Sequence, residues 1–376
     1  MDDGYPPAAV EKIRIVLEFI ELVKEATLAS QFSPEELDDL LNPLEHESTP
    51  VDDPNLMLSL RAFIGFLGST QGDYERMRQY NRARDPNIDM LSYYRVERRA
   101  QQLSGIITWD DDMCIDSCVG FTGPFAHLEH CPDCGKPRYN QDTQEESTGN
   151  KNVPQKVFTT FPAGPQLQAR WKDPDMAQKM SYRWQKTQDL RQERGESATA
   201  PDIYDDILSG EAYLDATEEF PINEYDTVLM LSIDGAQFHR NKKSDCWIYI
   251  WIILDLGPDE RYKIRNILPG GIIPGPERPK NIDSFLFPGL AHVSALQKEG
   301  LPIWDAYRRR RAICFLFLLL ILADAVAMAE LSGSVGHHGR KGCRLLCGFA
   351  GRNKKQGSHY NSCSPKNIIF HASNGT

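Results

Sequence analysis

Four cysteines in two closely spaced pairs form the clearest chemical pattern in the sequence. Three residues separate Cys114 from Cys118, two separate Cys131 from Cys134, and twelve lie between the pairs. Two thiol pairs at this spacing can close a tetrahedral four-sulfur site, and soft thiolates select zinc. Four protein ligands leave no open coordination position, so the spacing predicts a structural zinc ion, not a catalytic one.

Alternatives to this ligand set stay open. His127 and His130 lie between the two pairs and could replace a thiolate, and four unrelated buried cysteines would bind nothing. The chain has nine cysteines, an odd number, and in a reducing compartment close pairs favour metal over disulfides.

Two aspartates, Asp234 and Asp324, each follow a short apolar run that is typical of a buried strand. Carboxylates at the ends of neighbouring strands build an oxygen site for Mg²⁺, and such ions activate the nucleophile and stabilise the leaving oxygen in phosphoryl transfer. Asp234 precedes Gly235, and Asp-Gly is also a common turn pair, so an ordinary turn is the alternative.

A second group of possible ligands lies further along the chain. It contains His337, His338, Cys343 and Cys347. Three cations are interleaved with these ligands: Arg340, Lys341 and Arg344. Two interpretations stay open, a second metal site and a glycine-rich basic turn that contacts phosphate.

The elements that must position these residues change in type along the chain. Apolar residues at three- and four-residue steps predict helices at 8–29, 55–67, 74–84 and 90–103, with Ser33 as the N-cap of a further helix and another helical stretch at 166–196. Beyond residue 225 the pattern predicts strands at 227–233, 246–254 and 262–268, a turn cluster at 270–276, a helix at 284–299 and a fourth strand at 313–322. The sequence therefore predicts an α/β fold with a largely buried sheet.

Charge and composition narrow the functional classes. The 376 residues carry a net charge of −11, which argues against non-specific nucleic-acid binding by the whole surface. Residues 1–60 hold 14 acidic and 3 basic side chains, whereas 301–376 hold 11 basic and 3 acidic, so a polyanion should prefer the C-terminal end. The sequence has no phosphate loop, nucleophile elbow or His-Glu-x-x-His motif.

Cellular location is predicted from the termini and from the apolar runs. The acidic N-terminus lacks the features of a secretory signal, which favours an intracellular protein. The longest apolar run, 312–323, is shorter than the ~20 residues that span a bilayer, so it is read as a buried element, with a membrane segment as the minor alternative.

Seven strings together resemble the transposase of CACTA (En/Spm-like) DNA transposons, which are abundant in fungal genomes. They are DMCIDSC (112–118), FTGPF (121–125), CPDCGKPRY (131–139), GPQLQA (164–169), SIDGAQ (232–237), KSDCW (243–247) and PKNIDSFLFPGL (279–290). The resemblance runs from about residue 10 to about residue 360.

The resemblance implies an RNase H-like catalytic domain of the DDE type, with Asp234 ending the first strand and Asp324 following the fourth. It implies action in the nucleus on transposon ends, with Mg²⁺-dependent cleavage and joining of DNA strands, and it leaves room for a homo-oligomer. The family's His-His-Gly and Cys-x3-Cys cluster is retained at 337–347. The implied organisation is an acidic helical region (1–104), a four-cysteine zinc module (105–147), a linker and helical segment (148–224), and an incomplete RNase H-like domain (225–376).

Departures from the family pattern concern the catalytic end. Ala325 and Val326 stand where the family has a Gly-Pro turn, and the arginine block 308–311 and the apolar run after it differ from the family's lead-in to the second acid. The family's third carboxylate lies beyond the Cys cluster, whereas here Glu330 is the only acid after Asp324. We therefore expect a C-terminally truncated transposase that is inactive alone. The alternatives are a non-catalytic zinc-module protein that binds DNA or another protein and, more remotely, zinc-dependent hydrolysis at His337, His338 and Cys343.

Overall fold

The computed structural model describes residues 10–43, 52–141, 152–196, 205–237 and 245–324, with a few single residues and pairs outside these ranges. The N-terminal part contains five helices: α1 (Glu11–Glu25), α2 (Pro34–Leu41), α3 (Pro54–Gly65), α4 (Gln71–Arg84) and α5 (Tyr93–Ser104). Ser33 caps α2, since its hydroxyl accepts from the Glu36 amide while the Glu36 carboxylate accepts from the Ser33 amide. The predicted N-cap is confirmed.

Helices α3, α4 and α5 form a unit with its own small core, which we call the three-helix unit (54–104). Tyr74, Met90 and Val96 are fully buried in this core and pack against Leu58 and Phe63 of α3. The Tyr74 hydroxyl donates to the Leu91 carbonyl at 2.9 Å, which fixes the connection between α4 and α5.

The middle of the chain is helical, as predicted, but the helical stretch is broken into shorter pieces. The predicted stretch corresponds to α6 (Ala163–Trp171), α7 (Pro174–Lys179) and α8 (Tyr182–Glu196). A further helix, α9 (Glu211–Glu219), follows it. Asp173 caps α7, whose first residue is Pro174, so the chain stops and restarts there.

A mixed six-stranded sheet forms the centre of the molecule. Its strands are β1 (Trp109–Asp112), β2 (Val157–Thr160), β3 (Thr227–Gln237), β4 (Asp245–Ile253), β5 (Leu268–Pro274) and β8 (Leu316–Ala323), in the spatial order β1-β2-β5-β4-β3-β8. Only the β3–β8 pair is parallel; all other neighbours are antiparallel. The predicted mixed α/β character is confirmed.

Between β5 and β8 the chain makes a long helix and a hairpin. The long helix is α11 (Ile282–Glu299), which begins at the N-cap Asn281 and ends at Gly300, whose φ of +79° suits glycine. A short helix, α10 (Pro258–Arg261), precedes β5. The hairpin pairs β6 (Leu301–Asp305) with β7 (Arg310–Cys314). A two-residue ladder of β9 (Arg352–Asn353) and β10 (Tyr360–Asn361) lies further along the chain.

Helices cover both faces of the sheet. On one face Leu229, Leu231 and Ile233 of β3 join the main core with α6 and α11. On the other face Val228 and Met230 form a second cluster, next to one that α8 and α9 supply. Alternate residues of β3 are therefore buried on opposite sides, as expected for a central strand that carries a continuous apolar run.

Three predicted strands differ from the structure. The first, expected at 227–233, continues to Gln237. The third begins at Leu268 instead of spanning 262–268, because 264–266 forms a 3₁₀ turn in which Ile264 is exposed. Gly270 and Gly271, read as a turn, lie inside this strand: the buried Tyr249 ring covers them so closely that a Cβ at Gly271 would lie 2.3 Å from it. The predicted fourth strand is split, since its first residues belong to the hairpin strand β7.

The first two strands of the sheet come from outside the predicted catalytic region. The chain leaves the sheet after Asp112, forms the cysteine module and returns at Val157, which pairs with Asp112. No helix among the described residues has the length and hydropathy needed to cross a membrane.

Candidate functional site

The four cysteine thiols converge on one point. Their Sγ atoms all lie within 4.8 Å of one another, and the Sγ atoms of Cys114 and Cys134 are 3.5 Å apart. A tetrahedral zinc with Zn–S bonds of ~2.3 Å would place its sulfurs ~3.8 Å apart, so the arrangement suits such an ion. The group contains neither His127 nor His130. The four thiols can therefore hold a metal ion such as zinc.

Two tight turns position the thiols. In the first, the Ser117 amide donates to the Cys114 carbonyl at 2.8 Å, with Ser117 in the left-handed region at a φ of 58°. In the second, the Gly135 amide donates to the Cys131 carbonyl at 2.9 Å, and Gly135 has a φ of 72°. Each turn folds its own cysteine pair, which is why the spacing alone predicted the convergence.

The first turn is held by Lys156, a residue that no sequence pattern indicates. Lys156 Nζ donates to the Ser117 hydroxyl at 3.0 Å and to the Gly275 carbonyl at 2.6 Å, and the Ser117 hydroxyl donates to the Pro274 carbonyl at 3.1 Å. These bonds stabilise a backbone conformation that non-glycine residues rarely adopt. Lys156 stands 39 residues after Ser117, so no local pattern reveals the contact.

Burial and charge suit a metal-bound thiolate cluster. Cys114, Cys118 and Cys131 are buried and Cys134 is partly exposed. Burial raises the pKa of Cys118 to about 11, so the metal-free thiol keeps its proton at neutral pH and metal binding must displace it. Lys280 lies beside Cys118, and a hydrogen bond to that sulfur raises the pKa of the Lys280 ammonium group. The ammonium group therefore stays charged and offsets part of the negative charge of the thiolates.

The cysteine centre is packed into the rest of the fold. Phe19 of α1 and Phe287 of α11 contact each other and pack on the apolar cluster that contains the thiols. The Gly120 amide donates to the Ser284 hydroxyl of α11 at 2.9 Å. The centre therefore fixes how the N-terminal helix meets the sheet domain.

Asp234 and Asp324 lie at the same edge of the sheet. Ile233 pairs with Ala323 in the parallel β3–β8 ladder. Asp324 directly follows β8, as expected, but Asp234 lies inside β3, which continues to Gln237 along β4, so the expectation that Asp234 ends the first strand is wrong. Neighbouring strands lie ~4.8 Å apart, so the two backbone positions are adjacent. Ile233 faces the main core, so strand alternation directs Asp234 of β3 to the opposite face.

Both aspartates are exposed and make local hydrogen bonds. Asp234 Oδ1 accepts from the Gly235 amide at 2.8 Å, and Asp324 Oδ1 accepts from the Ala327 amide at 2.8 Å. Among the described residues, no third His, Cys, Asp or Glu joins the pair in a group of three possible metal ligands. The edge presents two carboxylates, and their catalytic role stays a prediction.

Comparison with known families adds one observation. Residues 212–359 match the model of the transposase family tnp2. The match covers β3, β4, β5, α11, β8 and both aspartates, which is less than half of the chain, and it supports a transposase-like function. The four cysteines and the three-helix unit lie outside it. The comparison with curated proteins finds no match.

Within the tnp2 segment, the arginine block 308–311 lies far from the two aspartates. It follows Asp305 at the tip of the β6–β7 hairpin, where Arg308 forms ion pairs with Glu224 at 2.6 Å and Asp305 at 3.1 Å. Arg308 and Arg310 both lie over the Tyr225 ring, at 5.7 and 5.1 Å from its centroid. This is the end where β8 begins, about 25 Å along the strand from the aspartates.

Several predicted site residues of the tnp2 segment lie outside the described residues. These are the possible ligands His337, His338, Cys343 and Cys347, and the possible phosphate contacts Arg340, Lys341 and Arg344. Their assignments stay predictions.

Proposed function

We propose that this protein is a transposase of the CACTA (En/Spm-like) type, which acts in the nucleus on the DNA ends of a transposon. The tnp2 match supports the transposase function, and the pairing of Ile233 in β3 with Ala323 at the end of β8 supports the assignment of the next residues, Asp234 and Asp324, as its first two acids. The order of elements supports an RNase H-like domain: three antiparallel strands, a helix, and a fourth strand parallel to the first.

Two oxygen ligands at a strand edge suit Mg²⁺, a hard cation that keeps several waters when few carboxylates bind it. When bound, Mg²⁺ would supply a polarised oxygen nucleophile and would stabilise the leaving oxygen. Asp234 and Asp324 would bind and orient the ion, and the local bonds to Gly235 and Ala327 hold one oxygen of each carboxylate in place. Among the described residues only two carboxylates meet at this site, which gives incomplete coordination, so we propose that this chain alone binds the ion but does not cut DNA.

Binding of Mn²⁺, a spectroscopic substitute for Mg²⁺, tests this proposal. The full chain should bind Mn²⁺ in an electron paramagnetic resonance titration, and Asp234→Asn and Asp324→Asn should each weaken binding about tenfold or more, since each removes one of two charged ligands. Asp259→Asn, an exposed aspartate outside the site, is the matched control. Equal binding by all four proteins would contradict the carboxylate site.

A plasmid cleavage assay tests DNA cutting independently of metal binding. We expect the chain to leave supercoiled DNA uncut in Mg²⁺. Cutting that is lost in Asp234→Asn would overturn the predicted inactivity and support the assignment of the residue.

A second candidate function is DNA or protein binding by the cysteine module without catalysis. The observation that favours it is that the module has a full set of four ligands, whereas the carboxylate edge has two among the described residues. Unchanged Mn²⁺ binding in Asp234→Asn, together with DNA binding that chelation of zinc abolishes, would favour this second function.

A further inference from the structure

The three-helix unit differs in charge from the helices that precede it. Residues 54–104 contain 8 arginines and 5 acidic residues, whereas 11–43 contain 3 basic and 8 acidic residues. The predicted acidic region 1–104 thus includes a basic unit. Neither the tnp2 match nor the cysteine centre includes this unit.

One side of α5 carries three exposed arginines: Arg95, Arg98 and Arg99. They are three and four residues apart, so they line one face of the helix, which we call the α5 arginine face. Tyr94, with 66% of its surface exposed, stands beside them. This gives the face both guanidinium groups and an aromatic ring.

No acidic side chain in the described part of the chain forms an ion pair with the α5 arginine face. Among the described residues, Arg95 and Arg98 make no hydrogen bond or ion pair, and Arg99 donates only to the Gln102 amide oxygen, at 3.3 Å. On the neighbouring helix α4, Arg76 pairs with Asp73 and Arg78 pairs with Glu75, whereas Arg82 and Arg84 in its last turn form no ion pair among the described residues.

A groove of about 520 Å³ runs along this face, between α5 and the start of α3. The three arginines and Tyr94 form one wall, and Asp53 and Asp89 lie on the other. The Asp53 carboxylate accepts from the amides of Asn55 and Leu56 at 2.9 and 3.2 Å, so the positive end of α3 offsets part of its charge. A polyanion in this groove would be drawn to α5 and repelled from Asp89.

We propose that the α5 arginine face binds the sugar-phosphate backbone of duplex DNA. This inference rests on the proposed function, which makes DNA the polyanion that the protein meets. Guanidinium groups bind phosphate oxygens in a bidentate manner, and a row of them at helical spacing suits successive phosphates. Tyr94 can donate its hydroxyl to a further phosphate oxygen, since tyrosine is among the side chains that contact the DNA backbone.

Salt dependence of DNA binding by the full chain tests the proposal. The triple variant Arg95→Gln, Arg98→Gln, Arg99→Gln should bind a 30-base-pair duplex of arbitrary sequence about tenfold or more weakly. It should lower the slope of log affinity against log salt by up to about 2.7, because each lost phosphate contact removes ~0.9. Sequence preference should not change, because backbone contacts carry none.

A matched control removes equal charge elsewhere. Arg14, Arg76 and Arg78 are all in ion pairs, so their triple Gln variant should lower the slope by less than one. Asp89→Asn should have the opposite effect and tighten binding. The side chains of the α5 arginine face are exposed, so circular dichroism and Tm should stay unchanged.

Three results would overturn the proposal. One is an unchanged slope in the α5 triple variant, and another is an equal decrease in the control. The third uses polyglutamate as a second probe. If the α5 triple variant loses binding to polyglutamate but keeps its binding to DNA, the face binds an acidic protein segment instead of DNA. The α5 variant should keep its Mn²⁺ binding, whereas failure of the proposed carboxylate site appears only in the aspartate variants, so the two proposals fail separately.

Discussion

The cysteine centre and the carboxylate edge are built in opposite ways. The four thiols come from one segment, 114–134, are positioned by two short turns, and are mostly buried. The two aspartates come from distant positions, are brought together by the register of β3 and β8, and are exposed. A site that is made locally keeps its geometry wherever its turns form. A site that is made by register depends on everything that holds two strands together.

Removal of the metal from the cysteine centre should have the largest effect on stability, because the four thiols depend on the ion itself. Structural zinc contributes on the order of 10 kcal/mol to small zinc domains, so chelation or Cys131→Ser should destabilise 113–156 by several kcal/mol and lower Tm. Metal analysis should find one zinc per chain, and none in Cys131→Ser. Cys246→Ala, in β4 outside the centre, should keep the metal. A chain that contains no zinc, and whose Tm does not change when a chelator is added, would contradict the structural role of the four cysteines.

Asp255→Ala tests how far the carboxylate edge depends on distant contacts. Asp255 and Arg183 form a buried ion pair at 2.5 Å, and Asp255 Oδ2 accepts from the Val228 amide at the start of β3. The variant leaves Arg183 buried without its partner, so we expect a loss of about 3–5 kcal/mol in the free energy of unfolding. Urea unfolding measures it, with the exposed Asp259→Ala as control. A loss below about 1 kcal/mol would show that β3 is held by other means.

A pH series probes α11, the helix that contacts both regions. His292 is fully buried between the Gly164 amide, which donates to Nε2 at 3.0 Å, and the Gln31 amide oxygen, and burial lowers the pKa of the imidazole to about 3. The unfolded chain, with an imidazole pKa near 6.5, therefore takes up a proton first. Stability should be full above about pH 6.5 and should fall by about 1.4 kcal/mol per unit as the pH drops towards 3.

The His292→Gln variant isolates this contribution, because its side chain does not titrate. The variant should be less stable at pH 7, and its stability should fall with acid less steeply than that of the parent by about 1.4 kcal/mol per unit. Urea unfolding at pH 7, 6, 5 and 4 measures both slopes. Equal slopes would mean that His292 is protonated in the folded protein.

The smallest effects should come from the aspartates themselves. Asp234→Asn changes an exposed group and should alter the free energy of unfolding by no more than about 0.5 kcal/mol. Asp324→Ala removes the acceptor for the Ala327 amide and should cost about 1 kcal/mol, as the loss of a helix cap does. Thermal unfolding of both variants checks this. A much larger loss would mean that the carboxylates contribute to holding the sheet together.

Features that depend on residues close together in the sequence could be predicted from the sequence. The cysteine spacing, the Ser33 cap and the end of α11 at Gly300 each depend on a few adjacent positions, and each is confirmed. The backbone positions of Asp234 and Asp324 are a different case, because two apolar runs followed by aspartate indicated neighbouring strands without revealing the sheet order, and their role as a catalytic pair stays a prediction.

The parts that sequence reasoning got wrong depend on contacts between distant residues. Gly270 and Gly271 look like a turn, and only the Tyr249 ring above them explains why they lie in a strand. The break at Phe315, where the apolar run passes from the hairpin to the sheet, depends on the Asp226 carboxylate, which accepts from the Phe315 amide at 3.1 Å. Describing the whole of 1–104 as acidic, from the charge of its first 60 residues, likewise missed the basic face of α5.

The cysteine module leaves the sheet at Asp112 and returns at Val157, its direct partner in the next strand. Topologically it is an insertion into the loop of a β-hairpin, with its entrance and exit side by side. Such a cassette can be lengthened, shortened or exchanged without moving any strand, provided that its contacts with α1 and α11 are kept. Evolution could therefore have remodelled this part of the protein independently of the strands that carry the two acids.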